Sequence, residues 1–171
     1  MAEYFKIGKF MTVYGLKGEL LLKHVLGKKT SLKGLLAIFV EDNKNSFLPW
    51  FIQSTRIKSE DELYLKLEGI DSREAATKLV QKTIWIPEAD FKKMVAISAP
   101  ASYLGFSILH EKKYLGNVLE VIEQPHQILC RIEINHKEVF IPLNEGTLQK
   151  IDRKKKEIHV QLPEGLLEVY L

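Results

Sequence analysis

The sequence predicts an all-β protein built as two small domains. Short apolar alternations recur along almost all of its 171 residues, brief polar or glycine-bearing breaks separate them, and a single stretch carries a helical period. In the first half, strands are expected at residues 5–10, 20–25, 35–40, 47–57 and 63–67. The last is the plainest, because Leu63, Leu65 and Leu67 fall on one face, as in a strand with one side buried. Polar runs at 41–45 and 58–62 supply turn chemistry between neighbours. Pro49 lies inside 47–57 and cannot donate to a ladder, which predicts an edge or a bulge there.

One helix is expected at 71–80. Asp71 can accept from the amide of Glu74, and Glu74 can reach back, forming a capping box. Ala75, Ala76, Leu79 and Val80 then make a narrow apolar stripe of mostly small residues, suited to lying close against a sheet. A closing strand at 83–87 ends at Pro87. From Lys92 to Ser102 both periods vanish, and 96–102 is expected as a linker between domains at 1–95 and 103–171. Strands resume at 103–109, 115–122, 128–134, 138–142 and 157–162, with short hairpin-type separators. Spacing this regular with so little helix predicts a second small barrel or sandwich.

Composition narrows the function classes. Hydrophobic residues at 46% and charged residues at 27% support a packed core and argue against disorder. Cys130 is the single cysteine, which excludes an internal disulfide framework and fits a reducing compartment. No apolar run approaches membrane-spanning length and the N-terminus lacks a secretory layout, so a cytoplasmic protein is expected, with no membrane contact. Net charge is +3 but uneven: residues 1–95 hold 16 Lys+Arg against 12 Asp+Glu, and residues 96–171 hold 9 against 10. One face can therefore meet nucleic acid and another protein, although the same lysines also serve simply to solvate a β-rich surface.

The most informative motif is Tyr14-Gly15-Leu16-Lys17-Gly18, a tight loop between two strands. Glycines tolerate positive φ and close backbone approach, so the loop can present the Lys17 cation to a phosphate or carbonyl; a plain hairpin closure is the ordinary alternative. Catalytic motifs fail in turn. His24, His110, His126, His136 and His159 lack metal-ligand spacing. Gly27-Lys28-Lys29-Thr30 resembles part of a phosphate loop, but Leu22 stands where its first glycine belongs. Gly15–Gly18 has the spacing of a KH clamp loop but joins strands rather than helices. Cys130 would need His126 or His136 as a base and reads better as a buried thiol. Trp50 adjoins Phe51 in one strand, so at most one faces the core and the other is left to stack on a base or to pack.

Several segments together resemble the RimM family of small ribosomal subunit maturation factors. They are Gly8-Lys9 with Tyr14 to Leu20; 67–76, Leu-Glu-Gly-Ile-Asp-Ser-Arg-Glu-Ala-Ala; Leu115-Gly116-Asn117-Val118; Ile141-Pro142-Leu143; and 163–168, Pro-Glu-Gly-Leu-Leu-Glu, in the family's order. The resemblance implies an N-terminal six-stranded barrel of the translation-factor type with one short helix, and a C-terminal PRC-type barrel. It implies binding rather than catalysis, and no cofactor, no metal and no small-molecule substrate is expected. The implied partners are the immature small ribosomal subunit, its S-19 protein and its head-region rRNA. Tyr14 replaces the histidine of the family's signature, and Leu16 its isoleucine. The paired tyrosines that precede the family's second barrel, and that are linked to partner binding, are absent from 98–105. The expected RNA- or partner-facing residues are Tyr14, Gly15, Lys17, Gly18, Lys23, Lys28, Lys29, Trp50 and Tyr103. Those expected to hold the ribosomal protein are Glu120, Glu123 and Glu145. A monomer is expected. Rival readings are a generic two-barrel adaptor with no ribosomal role and a small Cys130 enzyme.

Overall fold

The structure, a computed structural model, describes residues 3–169, and the chain divides into two compact units on either side of the Ser102–Tyr103 bond. The first unit holds β1 (Tyr4–Tyr14), β2 (Glu19–His24), β3 (Ala37–Asn43), β4 (Ser46–Ile57), β5 (Glu62–Leu67) and β6 (Thr83–Pro87). Their ladders run β1-β2-β5-β4-β3-β6 and return from β6 to β1, closing a barrel with no free edge. The period-2 alternation decides what fills it: Ile7, Leu20, Leu22, Leu63, Leu65 and Ile84 point inward and are fully buried. Pro49 lies where β4 has β3 as its only ladder neighbour, since pairing with β5 begins at Ile52 and a bulge follows.

The expected helix is shorter and capped differently. α1 spans Arg73–Thr77, and its N-cap is Ser72, whose hydroxyl accepts from the Ala75 amide at 3.1 Å. Asp71 turns instead to the Lys66 ammonium at 2.9 Å, so the Asp71–Glu74 capping box is not formed. A cation within reach competes successfully with a backbone amide for that carboxylate. Beyond α1 the chain hooks back onto β1, with the Gln81 amide donating to the Phe10 carbonyl at 2.7 Å.

A second helix, α2 (Glu88–Met94), was not expected from the pattern. Its signals were present in the sequence: Pro87 at the entry, Glu88 and Asp90 in the first turn, Lys92 and Lys93 in the last. Phe91 anchors it, buried edge-on against Phe5 at 5.1 Å. The stretch 96–102 groups with the first unit. The Ala96 amide donates to the Leu26 carbonyl at 2.8 Å, and Ala99 and Ala101 are buried. Small side chains there permit close packing: a Cβ on Gly27 would lie 2.3 Å from that of Ala99.

The second unit holds β7 (Ser107–His110), β8 (Lys113–Asn117), β9 (Glu120–Gln124), β10 (Gln127–Ile134), β11 (Lys137–Leu143), β12 (Leu148–Asp152) and β13 (Glu157–Val160). They form one sheet in the order β11-β10-β9 and another in the order β12-β13-β7-β8. The single strand expected at 115–122 is two, because the chain changes sheets at Val118 and Leu119, whose amides donate to Phe106 and Arg131 carbonyls, each at 2.8 Å. The strand expected from Tyr103 begins only at Ser107, since Pro100–Tyr103 is a 3-10 turn and the Phe106 amide then donates to the Tyr103 carbonyl in a further turn. Ile108, Cys130, Ile132, Val139, Ile141 and Ile158 fill the core between the sheets.

Candidate functional site

The loop between β1 and β2 is held from outside by a second turn. Gly15 and Gly18 have φ of +70° and +95°. A Cβ on Gly18 would lie 2.3 Å from the Ile70 carbonyl oxygen, so only glycine admits the 67–72 turn against it. That turn is fixed by Lys66, whose side chain is only 12% exposed. Its ammonium donates to the carbonyls of Leu67, at 3.0 Å, and Ile70, and to the Asp71 carboxylate. Arg73 at the head of α1 then donates to the Gly15 carbonyl at 3.2 Å. The braced tip leaves Leu16 79% exposed and Lys17 beside it, with no carboxylate paired to Lys17 among the described residues.

Tyr14 lies directly before this loop and is 48% exposed. Its ring packs on Tyr64 of β5 at 4.5 Å. The Arg56 guanidinium of β4 lies over Tyr64 at 4.4 Å and over Tyr14 at 5.5 Å, and donates to the Glu19 carboxylate at 3.1 Å. Local sequence pattern does not single out Arg56, Tyr64, Lys66 or Arg73 as members of this surface. The alternation at 63–67 placed Tyr64 and Lys66 opposite the leucines. Arg56 joins them only through the β4–β5 register, where it sits across from Tyr64.

The remaining predicted lysines do not join Lys17. Lys23, Lys28 and Lys29 cluster around the far end of β2, roughly 17–20 Å from the loop at about 3.3 Å per residue. Lys23 lies 4.0 Å from Asp61 and Lys29 3.9 Å from Glu60, so both face loose counter-charges, whereas Lys28 is exposed. Trp50 is half-buried and registers with the fully buried Ile38; its neighbour Phe51 is the exposed member of the pair. Tyr103 belongs to the second unit, its ring 5.9 Å from Phe106 and covered by Arg153 at 5.4 Å.

Of the three carboxylates, Glu120 is engaged within the second unit. It accepts from Arg131 at 3.1 Å, and Arg131 also reaches Glu138 at 3.5 Å. Glu123 and Glu145 are exposed near a groove of about 640 Å³ lined by Gln124, Pro125, His126, Gln127, Asn144, Glu145 and Gly146. The groove wall at 144–147 is shaped by Asn144, whose side-chain oxygen accepts from the Gly146 and Thr147 amides at 2.8 and 3.1 Å.

Cys130 is fully buried in β10 between Val121 and Ile141, and burial pushes its thiol up to about 12, far from a reactive thiolate. His126 and His136 lie in the turns at the two ends of that strand. Among the described residues no group of three His, Cys, Asp or Glu could hold a metal ion, and no helix is long and apolar enough to cross a membrane.

Comparison with known proteins gives a consistent result along the whole chain. The RimM N-terminal domain family matches residues 5–91, and the RimM PRC barrel domain family matches residues 100–166. The ribosome maturation factor RimM of Oleidesulfovibrio alaskensis is 31% identical over 178 residues, covering 100% of this chain and 98% of that one. The factor of the same name from Christiangramia forsetii is 28% identical, covering 99% and 97%. The solution structure of the N-terminal domain of RimM from Thermus thermophilus is 25% identical and covers 52% of this chain and 93% of that one, with a TM-score of 0.42. With both domain families matched in order and relatives aligned from end to end, the chain belongs to the RimM family.

Proposed function

We propose that this protein is a ribosome maturation factor that binds the immature small ribosomal subunit through its S-19 protein and head-region rRNA and assists assembly and rRNA processing. It acts by binding, in the cytoplasm, as a monomer and with no reaction of its own. Family membership across both units carries the reading. The separation of charge supports it: the first unit presents Lys17 on a braced loop, and the second presents Glu123 and Glu145 beside a groove. Cations meet phosphate, and carboxylates meet a basic ribosomal protein. Binding of this kind promotes maturation only if the immature subunit is bound more tightly than the mature one.

The test is co-sedimentation of the full chain with immature and mature small subunits across a salt series. Preference for immature subunits is expected, with log affinity falling by roughly 0.7–0.9 per phosphate contact per log unit of salt. Lys17→Ala lowers that slope by one contact. Glu123→Lys combined with Glu145→Lys weakens capture of the isolated S-19 protein instead. Equal affinity for both subunits overturns the maturation role, and a salt-independent affinity removes RNA from it.

A further inference from the structure

The stack beside the Gly15–Gly18 loop has a chemistry of its own. The Arg56 guanidinium carbon lies over the Tyr64 and Tyr14 rings, 4.4 and 5.5 Å from their centroids, and one of its terminal nitrogens is tied to Glu19 at 3.1 Å. Its side chain is nevertheless 56% exposed, so much of it remains open to solvent. Tyr14, 48% exposed, extends the surface toward the loop, where Lys17 waits without a counter-charge among the described residues. A flat cation held rigid on two rings is a platform whose side-chain entropy is already lost in the free protein, which makes stacking on it cheap. Unpaired nucleobases stack on tyrosine rings and arginine planes, whereas a paired base inside a duplex has both faces covered. Glu19 neutralises the edge of Arg56 rather than its face, which favours a flat apolar-faced ligand over a bare anion, and the exposed Lys17 follows Tyr14 by three residues in the adjoining loop.

We propose that Arg56, Tyr14 and Tyr64 form a stacking site for an unpaired nucleobase of single-stranded RNA, with Lys17 taking a neighbouring phosphate. The site deepens the RNA-binding reading above and rests on it. Its specificity is for exposed bases rather than for sequence, since every base has a π-face.

The experiment compares binding of the full chain to a fluorescently labelled unstructured oligoribonucleotide and to a blunt RNA duplex, by anisotropy at low salt. Tyr14→Leu and Arg56→Lys, the second of which keeps the charge and removes the plane, are each expected to weaken single-strand binding by about 5- to 100-fold. Duplex binding should change less than about twofold, and Tyr14→Phe should bind like the parent. Thermal melts identify any variant that has lost its fold, and an oligonucleotide carrying abasic positions tests the same point on the unaltered protein, which should bind it as weakly as Tyr14→Leu binds the intact strand. Equal losses on single strand and duplex, full affinity for the abasic strand, or no single-strand binding by the parent overturns the site. Loss of S-19 binding rather than RNA binding on Tyr14→Leu also overturns it and assigns the face to protein. Co-sedimentation with subunits is scored separately: its failure overturns the ribosomal reading, and a normal result with unaffected Arg56→Lys overturns only the platform.

Discussion

The loops at 15–18 and 144–147 each border a candidate surface, yet they are held in opposite ways. The first is fixed by residues some fifty positions away, through Lys66, the Ile70 turn and the Arg73 bond to the Gly15 carbonyl. The second closes on itself: Asn144 accepts two amides of its own loop, and the Thr147 hydroxyl donates to Pro142 at 2.6 Å. A remotely braced loop transmits distant changes to its tip, while a locally closed one is insulated from them. Lys17 is therefore positioned by the barrel as a whole, and Glu145 by its immediate neighbours.

The largest expected effect breaks the remote brace directly. Gly18→Ala combines an unfavourable φ with a Cβ against a backbone oxygen, and should cost about 3 kcal/mol in denaturant unfolding of the first unit. Gly15→Ala, with open space around its Cβ, should cost only about 1–2 kcal/mol. Next, Lys66→Met removes the donor to the Ile70 carbonyl and Asp71, while the Leu67 carbonyl keeps the Ile70 amide at 3.3 Å; a loss of about 1–2 kcal/mol is expected, together with weaker RNA binding although Lys66 is not on the surface proposed to touch RNA. Unchanged RNA affinity in a folded Lys66→Met protein would show that the loop is not coupled to the turn.

Asn144→Ala should cost about 1 kcal/mol and leave RNA binding intact, because the damage stays within its own loop and unit. The smallest effect concerns pH. His24 is 2% exposed inside the first barrel, with its Nδ1 accepting from the Leu26 amide at 3.3 Å; burial lowers its pKa below the ordinary 6.5, and Asp61 only partly offsets this. The unfolded chain takes up a proton that the fold refuses, so stability is full above pH 6.5 and declines as pH falls below it. Melting temperature against pH should show that decline in the first unit, and His24→Leu should flatten it.

Much of this architecture was legible in sequence because it is local. Leu63, Leu65 and Leu67 had to share a face, and the Gly15–Gly18 pair marked a loop needing unusual backbone. What escaped was competition and register. Asp71 and Ser72 both qualify as caps by composition, and only the nearness of Lys66 decides between them. The residues 96–102 look like a linker because they are small, and they are small because Gly27 and Leu26 lie against them.

By itself, the sequence determined strand alternation, the inward leucines, the lysine between its glycines and the family. Those properties depend on neighbours one to four positions apart, or on an ordered set of motifs. Only the tertiary structure decided the order β1-β2-β5-β4-β3-β6 in which the strands close their ring, that the predicted lysines stand at opposite ends of β2, and that Arg56 lies on Tyr64 and Tyr14. Each of these is a consequence of ladder register between segments distant in the chain, which no local period encodes.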